Sequence, residues 1–171
     1  MTEQQNYWDV RFAHLAKLVS LWSKDPSTKV GSVLVRPDKT VASVGFNGFP
    51  KGVPDKIEWY LDREIKYKIV KHAEENAMHF CLEKIEGYTL YVYPLPPCST
   101  CAGDIIQRGV KRVVAIVPPE QYQRIETDTT FSFEFTKSMF ASVGIEFVII
   151  RDDINLCDLE HKNIATKVCK P

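Results

Sequence analysis

The 171-residue sequence has neither a long uncharged stretch nor an excess of charge of one sign. Its 22 basic residues balance its 22 acidic residues, so no field of the whole chain attracts nucleic acid or an anionic membrane. No apolar segment approaches the roughly 20 residues that a membrane helix needs, and the polar residues 1–9 contain no apolar signal core. These absences predict a cytoplasmic, intracellular protein that binds neither membranes nor nucleic acid.

Cysteine is also sparse, with five residues in the chain. An odd number without a secretory context favours thiols or metal ligands over a disulfide framework. Of the five, only Cys98 and Cys101 have a spacing that suggests a metal site. The length and the 44% hydrophobic content suit one globular domain. We predict a single domain over 1–150, followed by a polar tail or subunit-contacting arm over 151–171.

Hydrophobic periodicity predicts an alternation of helices and strands. The predicted elements are a helix over 8–24, a hairpin of strands 30–35 and 41–46, a charged insertion or solvated helix over 57–67, a helix over 71–84, a strand over 88–93, a helix over 98–108, a strand over 112–117, a polar loop over 118–130, a helix over 131–143 and a strand over 145–150. Strands that alternate with helices predict an α/β fold, a three-layer α/β/α sandwich on a mixed sheet of about five strands.

Three residues with metal-ligating side chains lie at the starts of two predicted helices. His72 opens one helix, and Cys98 and Cys101 open the next. Their spacing places both cysteines on one helix face, and the helix dipole favours thiolates there. Three protein ligands with an open fourth position are typical of a catalytic zinc, which activates water. We therefore predict one catalytic Zn²⁺ per chain; the alternatives are a structural zinc or buried polar residues without a metal.

Glu74 is the candidate residue for proton transfer. It lies two residues after His72, so its carboxylate can reach water at the metal without being a ligand. H-x-E followed by P-C-x-x-C is the signature of zinc-dependent nucleobase deaminases. The alternative is an ordinary carboxylate that stabilises a helix N-terminus.

Within that class, the sequence resembles the deoxycytidylate (dCMP) deaminases from about residue 21 to residue 150. The matching segments are SKDPSTKVG at 23–31, GFNGFPKG at 45–52 (similar to the family's GYNGxPxG), HAEENA at 72–77 and IIQRGV at 105–110. Phe46 replaces the usual Tyr of the family, and Met78 replaces the usual Ile. Some viral members bind a second zinc through an early insertion, but residues 53–71 here contain neither Cys nor His.

The resemblance implies hydrolytic deamination of dCMP to dUMP and ammonia, which supplies dUMP for thymidylate synthesis. Glu74 would carry a proton from the attacking water to N3 of cytosine and then to the leaving amine. The implied substrate-binding residues are Asn47 at the sugar or base edge, Ala73, and Lys24, Tyr122 and Arg124 for the phosphate. The alternative interpretation of Asn47 is a turn residue, and that of the other polar candidates is a solvated surface residue.

The resemblance also implies regulation and assembly. Members of the family are activated by dCTP with Mg²⁺, are inhibited by dTTP and commonly form hexamers. The glycine-rich loop, residues 47–53, is the candidate effector site, because glycine amides allow close approach of phosphate. The candidate effector residues are Gly48, Lys51 and Gly52.

Other functions share these motifs. Deamination of dCTP, of both dCMP and dCTP, or of a free nucleoside would use the same chemistry in a different pocket. A deaminase of tRNA or single strands would need a basic, aromatic-rich surface, which this neutral chain lacks. A catalytically silent, nucleotide-sensing subunit would have no need of Glu74.

Overall fold

The computed structural model describes residues 3–127 and 129–152. Its elements are α1 (Glu3–Ser20), β1 (Gly31–Val35), β2 (Val41–Phe46), α2 (Ile57–Leu61), α3 (Arg63–Ile69), α4 (Ala73–His79), β3 (Thr89–Tyr93), α5 (Ser99–Gln107), β4 (Arg112–Val117), a 3-10 turn (Pro119–Gln121), α6 (Tyr122–Thr127), α7 (Phe133–Ser142) and β5 (Glu146–Arg151). Of the predicted tail over 151–171, residues 153–171 lie outside the described residues. The division into one domain and a tail stays a prediction.

The five strands form one mixed sheet in the order β2-β1-β3-β4-β5. β1 is antiparallel to both of its neighbours, and β3, β4 and β5 are parallel to one another. The predicted hairpin of β1 and β2 is confirmed, with Val33 opposite Val44. Every residue of β1 and β4 is buried, as expected for strands inside a covered sheet. The predicted mixed sheet of about five strands is confirmed.

Two glycines allow helices to approach opposite faces of the sheet closely. A Cβ at Gly31 would overlap the backbone of α1, and a Cβ at Gly45 would overlap the backbone of α4. Gly45 pairs with Ser32, the neighbour of Gly31, and successive residues of a strand face opposite sides. Helix α1 and helix α4 therefore cover opposite faces, and the predicted three-layer arrangement is confirmed.

Each face of the sheet has its own apolar core. On one face, the cluster joins α1 to the sheet and contains Phe12, Ala16, Val19, Val33, Val35, Tyr91, Val114 and Ile150. On the other face, the larger cluster joins α4, α5 and α7 to the sheet; its members include Leu34, Ala77, Leu90, Val92, Cys101, Ile105, Val113 and Phe140. This second core holds the helices that carry the predicted metal ligands. None of the helices in the described part of the chain is long and apolar enough to cross a membrane.

A buried ion pair connects α1 to the sheet. The guanidinium of Arg112 donates to both oxygens of Asp9 at 2.7 and 2.8 Å, and the hydroxyl of Tyr91 donates to the same carboxylate at 2.8 Å. Both charged side chains are at least nine-tenths buried. Nε of Arg112 also pairs with the half-exposed Glu146 at 3.0 Å, so Asp9 is the buried one of two carboxylates at this guanidinium.

We expect Asp9→Ala to destabilise the fold by about 3 kcal/mol, because the Arg112 guanidinium loses its buried carboxylate and keeps the half-exposed Glu146, and the Tyr91 hydroxyl loses its acceptor. Urea unfolding followed by circular dichroism measures the change. Glu134→Ala is the control, since that exposed carboxylate pairs with Lys137 at a helix surface, and its loss should cost less than about 1 kcal/mol. Equal midpoints for the two variants would contradict the importance given to the buried pair.

Four segments differ from the predictions. Helix α1 spans Glu3–Ser20, whereas the prediction was a helix over 8–24. The helix predicted over 71–84 is shorter. It spans Ala73–His79, and Phe80 is its C-cap residue. The polar loop predicted over 118–130 is wrong, since it contains a 3-10 turn and α6; such short helices show too little periodicity to be recognised. The charged segment over 57–67 holds two helices, α2 and α3, which are separated at Asp62.

Candidate active site

The predicted metal ligands lie at the starts of two helices on the same face of the sheet. His72 immediately precedes α4, and Cys98 immediately precedes α5, a few residues after the carboxyl end of β3. The backbone N–H of His72 donates to Oε2 of Glu75 at 2.8 Å, and that carboxylate pairs with Lys71 at 2.9 Å. These contacts hold the turn that presents His72.

The three side chains converge as a metal site requires. The Nδ1 atom of His72 lies 3.5 Å from Sγ of Cys98 and 3.3 Å from Sγ of Cys101, and all three ligand atoms lie within 4.8 Å of one another. Tetrahedral zinc with Zn–S near 2.3 Å and Zn–N near 2.1 Å would separate sulfur from nitrogen by about 3.6 Å. The donor set and its spacing therefore fit Zn²⁺, which the structure, being that of the polypeptide alone, does not contain.

The three ligands polarise one another in the metal-free protein. The hydrogen bond to Cys98 raises the pKa of His72 to about 9, despite the opposing effect of burial. Hydrogen bonding from Cys101, and then from His72, lowers the pKa of Cys98 to about 4. The hydrogen bond between Cys101 and Cys98, together with burial, raises the pKa of Cys101 well above its ordinary value. Near neutral pH the triad thus holds an imidazolium, a thiolate and a thiol.

These protonation states predict that zinc binding releases protons. At about pH 7 the imidazolium of His72 and the thiol of Cys101 must each lose a proton to become ligands, whereas Cys98 is already a thiolate. Isothermal titration calorimetry in buffers of different ionisation enthalpy should report about two protons released per zinc. Zinc affinity should fall as the pH is lowered, because protons compete for the same atoms. A pH-independent affinity would contradict this description of the triad.

Glu74 lies beside these ligands and is 3% exposed. Burial raises the pKa of its carboxyl group to about 7, and the positive charge of His72 offsets part of that increase. A carboxyl group with a pKa near the working pH can both accept and donate a proton. Glu74 thus has the protonation behaviour of a proton shuttle, next to the ligand set.

One cavity is lined by Glu74 and by two of the three ligands, His72 and Cys98. Its lining combines the zinc-site residues, a polar cluster and an apolar wall: Asp25, Thr28, Val30, Asn47, Lys66, Tyr67, Val70, His72, Ala73, Glu74, Leu95, Pro96, Cys98, Arg124, Phe131 and Phe133. The aromatic ring of Phe131 lies 6.2 Å from the ring of His72 and 5.9 Å from that of Phe133. A flat aromatic ligand such as a nucleobase, whose faces stack on rings and whose edges form hydrogen bonds, is suited to a cavity with aromatic walls and polar groups.

Asn47 lies in the cavity wall, but its side chain already forms three hydrogen bonds within the protein. Its amide group donates to Oδ2 of Asp25 at 3.2 Å and to the carbonyl of Thr28 at 2.9 Å, while its Oδ1 accepts from the backbone N–H of Val30 at 2.8 Å. Both N–H donors are therefore occupied, and one lone pair of Oδ1 remains for a ligand. Asn47 connects the first loop, residues 23–31, to the end of β2.

The sequence of the chain matches the family profile described as "Cytidine and deoxycytidylate deaminase zinc-binding region" over residues 6–117. This match spans β1 to β4 and includes every predicted metal ligand. The chain belongs to the cytidine and deoxycytidylate deaminase family. The resemblance drawn from its motifs is confirmed.

Two relatives and one solved structure illustrate the relationship. The chain is 41% identical to an uncharacterised deaminase in the luxG 3′ region of Aliivibrio fischeri, over 86% of this chain and 96% of that protein. It is 34% identical to the deoxycytidylate deaminase of Mus musculus, over 82% of this chain and 78% of that protein. The crystal structure of a dCMP deaminase from cyanophage S-TIM5 in complex with dCMP and dUMP shares the fold, with a TM-score of 0.64, 22% identity and coverage of 88% and 99%.

The other predicted substrate residues of this family member have different positions. Arg124 and the fully buried Ala73 line the cavity. Lys24 does not: its side chain is exposed and pairs with Asp55 at 2.6 Å. Tyr122 also lies outside the lining, and its ring is covered by the guanidinium of Arg151.

The predicted effector residues form part of a loop outside the cavity lining. Gly48 exchanges two backbone hydrogen bonds with Lys71, at 2.8 and 3.1 Å, which connects this loop to the turn before His72. Lys51 and Gly52 are exposed, and Gly52 has a φ of +89°. In this deaminase, backbone hydrogen bonds thus connect the loop to the residue that precedes the metal ligand His72. The effector role of the loop stays a prediction.

Several cavity residues were not recognised in the sequence. Asp25 and Thr28 lie within the SKDPSTKVG segment, so the family resemblance pointed to their loop but not to their side chains. Phe131 was assigned to a helix that begins later, at Phe133. For Lys66 the sequence offers no signal, because a lysine in a charged segment is ordinarily solvated.

Proposed function

We propose that this protein catalyses the hydrolytic deamination of dCMP to dUMP and ammonia, and so supplies dUMP for thymidylate synthesis. The observation that carries the proposal is the buried carboxyl group of Glu74, which lines one cavity with His72 and Cys98, two of the three converging ligands. The name of the murine relative, deoxycytidylate deaminase, supports dCMP as the substrate. An intact proton shuttle argues against a catalytically silent subunit.

His72, Cys98 and Cys101 would hold one Zn²⁺ through Nδ1 and the two sulfur atoms. When bound, zinc lowers the pKa of a water molecule and so supplies the nucleophile at neutral pH. With two thiolates and a neutral imidazole, the ligands cancel the charge of the ion, so a strong neighbouring base is needed. The position of Glu74 satisfies that requirement.

Glu74 carries the protons of the reaction. Its carboxylate accepts a proton from the attacking water as the new C–O bond forms at C4, and the resulting carboxylic acid donates that proton to N3 of the pyrimidine. The carboxylate then accepts the second proton of the water oxygen and transfers it to the exocyclic amine. The C4–N bond breaks, and ammonia leaves. Burial raises the pKa of Glu74 and so favours the carboxylic acid that donates the proton.

The remaining cavity residues would orient the nucleotide. Arg124 provides a cation for the phosphate, and its guanidinium lies over the ring of Phe131 at 5.7 Å. Asn47 can offer one Oδ1 lone pair to the sugar or base edge. Ala73 has only backbone groups and a methyl to offer beside the metal ligands. Neither Lys24 nor Tyr122 lines this cavity, so phosphate binding is proposed for Arg124 without them.

The experiment that tests the proposal compares substrates. Ammonia release by zinc-loaded protein is measured with dCMP, dCTP, deoxycytidine and cytidine at equal concentrations. We expect the highest kcat/KM for dCMP. A preference for dCTP or for an unphosphorylated nucleoside would retain the zinc deaminase chemistry and reject the proposed substrate.

Regulation follows from the resemblance and has its own test. We expect sigmoidal dCMP saturation, a lower half-saturation with dCTP and Mg²⁺, and a higher one with dTTP. In Lys51→Ala the dCTP response should weaken, because an exposed cation of the candidate effector loop is removed. Hyperbolic curves that no effector shifts would reject this prediction.

The homo-hexamer and the cytoplasmic location likewise stay predictions, the first to be tested by light scattering.

A further inference from the structure

Lys66 is a buried lysine in the wall of the candidate active site. Helix α3 carries it, 9% of its surface is exposed, and it lines the same cavity as His72 and Glu74. Lysine is rarely buried, because its ammonium loses hydration energy. Its position therefore needs either a structural or a functional explanation.

The structural partner of Lys66 is Asp25. The ammonium nitrogen lies 2.8 Å from Oδ1 and 2.7 Å from Oδ2 of this carboxylate. Asp25 also accepts hydrogen bonds from the backbone N–H groups of Ser27 and Thr28 and from the amide of Asn47. These further donors are neutral, so Lys66 provides the counter-charge of a carboxylate that is 1% exposed. This structural role accounts for the contact with Asp25 and leaves open what else the ammonium binds.

Lys66 retains capacity for a ligand. An ammonium group has three donors, and the two oxygens of Asp25 occupy two of them. Within the described part of the chain, the ammonium has no further hydrogen-bond partner, and Lys66 lines the cavity. Arg124 retains capacity as well, because its contact with Oγ1 of Thr28 is long, at 3.5 Å.

The charges of this cluster favour an anion. Lys66 and Arg124 contribute two positive charges, and Asp25 contributes one negative charge. These side chains are connected through Thr28, whose backbone N–H bonds Asp25 and whose hydroxyl contacts Arg124. A phosphate would find an excess positive charge and several unused N–H donors in one place.

Contacts around α3 hold Lys66 in place. Asp62 caps the helix by accepting from the N–H groups of Glu64 and Ile65 at 2.9 and 3.1 Å. Just before it, Tyr60 of α2 stacks on Phe49 of the glycine-rich loop, with ring centroids 4.0 Å apart. A charged group presented by a fixed element discriminates between ligands better than one on a mobile side chain.

We propose that Lys66 is a specificity-determining residue that binds the 5′-phosphate of the nucleotide together with Arg124. The inference rests on the proposed function for the identity of the nucleoside. It assigns the preference for a phosphorylated over an unphosphorylated ligand to a residue of the α2–α3 segment, residues 57–69.

The test compares the binding of two product analogues that differ only in the phosphate. Calorimetry measures the dissociation constants of dUMP and deoxyuridine for zinc-loaded wild type, Lys66→Met, the double variant Asp25→Asn/Lys66→Met and Lys68→Met. Lys68 is an exposed lysine of the same helix and serves as the matched control. The double variant removes both charges of the buried pair, so it decides the outcome if the single variant does not fold.

We expect wild type and Lys68→Met to bind dUMP at least about tenfold more tightly than deoxyuridine, and both Lys66 variants to lose about tenfold of that ratio. If Lys66 were purely structural, its replacement would weaken the binding of dUMP and of deoxyuridine equally, and the ratio of their dissociation constants would not change. That result would overturn the inference. No preference for dUMP in wild type would also overturn it. Failure to release ammonia from dCMP, with the dUMP preference intact, would instead reject the proposed function.

Discussion

Glu74→Gln is expected to lower kcat for dCMP by about a thousandfold while the protein retains its zinc. Glutamine keeps the size and the hydrogen-bonding oxygen of the side chain but cannot accept a proton. Since Glu74 is buried and is not one of the three converging ligands, its replacement removes the proton shuttle without removing a donor to the metal. Steady-state ammonia release and metal analysis by mass spectrometry measure the two quantities.

The control for this variant is Glu86→Gln. Glu86 is an exposed carboxylate outside the cavity lining, so the same chemical change there should leave kcat within about twofold. Near-normal turnover of Glu74→Gln would remove Glu74 from the mechanism. Loss of zinc together with activity would mean that Glu74 acts on the metal site rather than on protons.

Cys98→Ser is expected to abolish stoichiometric zinc and, with it, turnover. Cys98 provides the low-pKa thiolate of the triad, and a serine hydroxyl at the same position remains protonated at neutral pH. The loss of a direct ligand should weaken zinc binding by more than the roughly 10–100-fold that the loss of an outer partner costs. Competition with a chromophoric chelator measures the affinity.

Cys81→Ser provides the matched control for the cysteine variant. Cys81 is also a buried free cysteine, but it lies in the apolar core and outside the ligand cluster. Its replacement should cost some stability and leave the zinc content unchanged. If Cys98→Ser kept one zinc per chain, another donor set would have to hold the metal.

The predictable part of this structure is the part that local patterns encode. Strand alternation identified the hairpin, and the residue types at the starts of two helices identified His72, Cys98 and Cys101 as one set of ligands. Ligands of a catalytic metal are few and chemically distinctive, so their spacing is informative even where element boundaries are off by two residues.

The phosphate side of the pocket could not be predicted in the same way. Lys24 and Lys66 are both lysines in charged, polar segments, yet one is exposed beside Asp55 and the other is buried against Asp25. The difference arises from their partners, because Asp25 is 1% exposed and Asp55 is 35% exposed, and the two contacts span 41 and 31 positions of the chain. No periodicity reports a contact of that range, because it depends on how α3 packs over the first loop.

The central claim is that this chain hydrolyses the C4–N bond of dCMP, and isotope labelling tests it most directly. Zinc-loaded protein is incubated with dCMP in water enriched in oxygen-18, and the nucleotide and ammonia are quantified together by mass spectrometry and enzymatic assay. The account predicts equal amounts of ammonia and dUMP, with one atom of the heavy isotope at C4. Recovery of unchanged dCMP without ammonia, from protein shown to hold zinc, would contradict it.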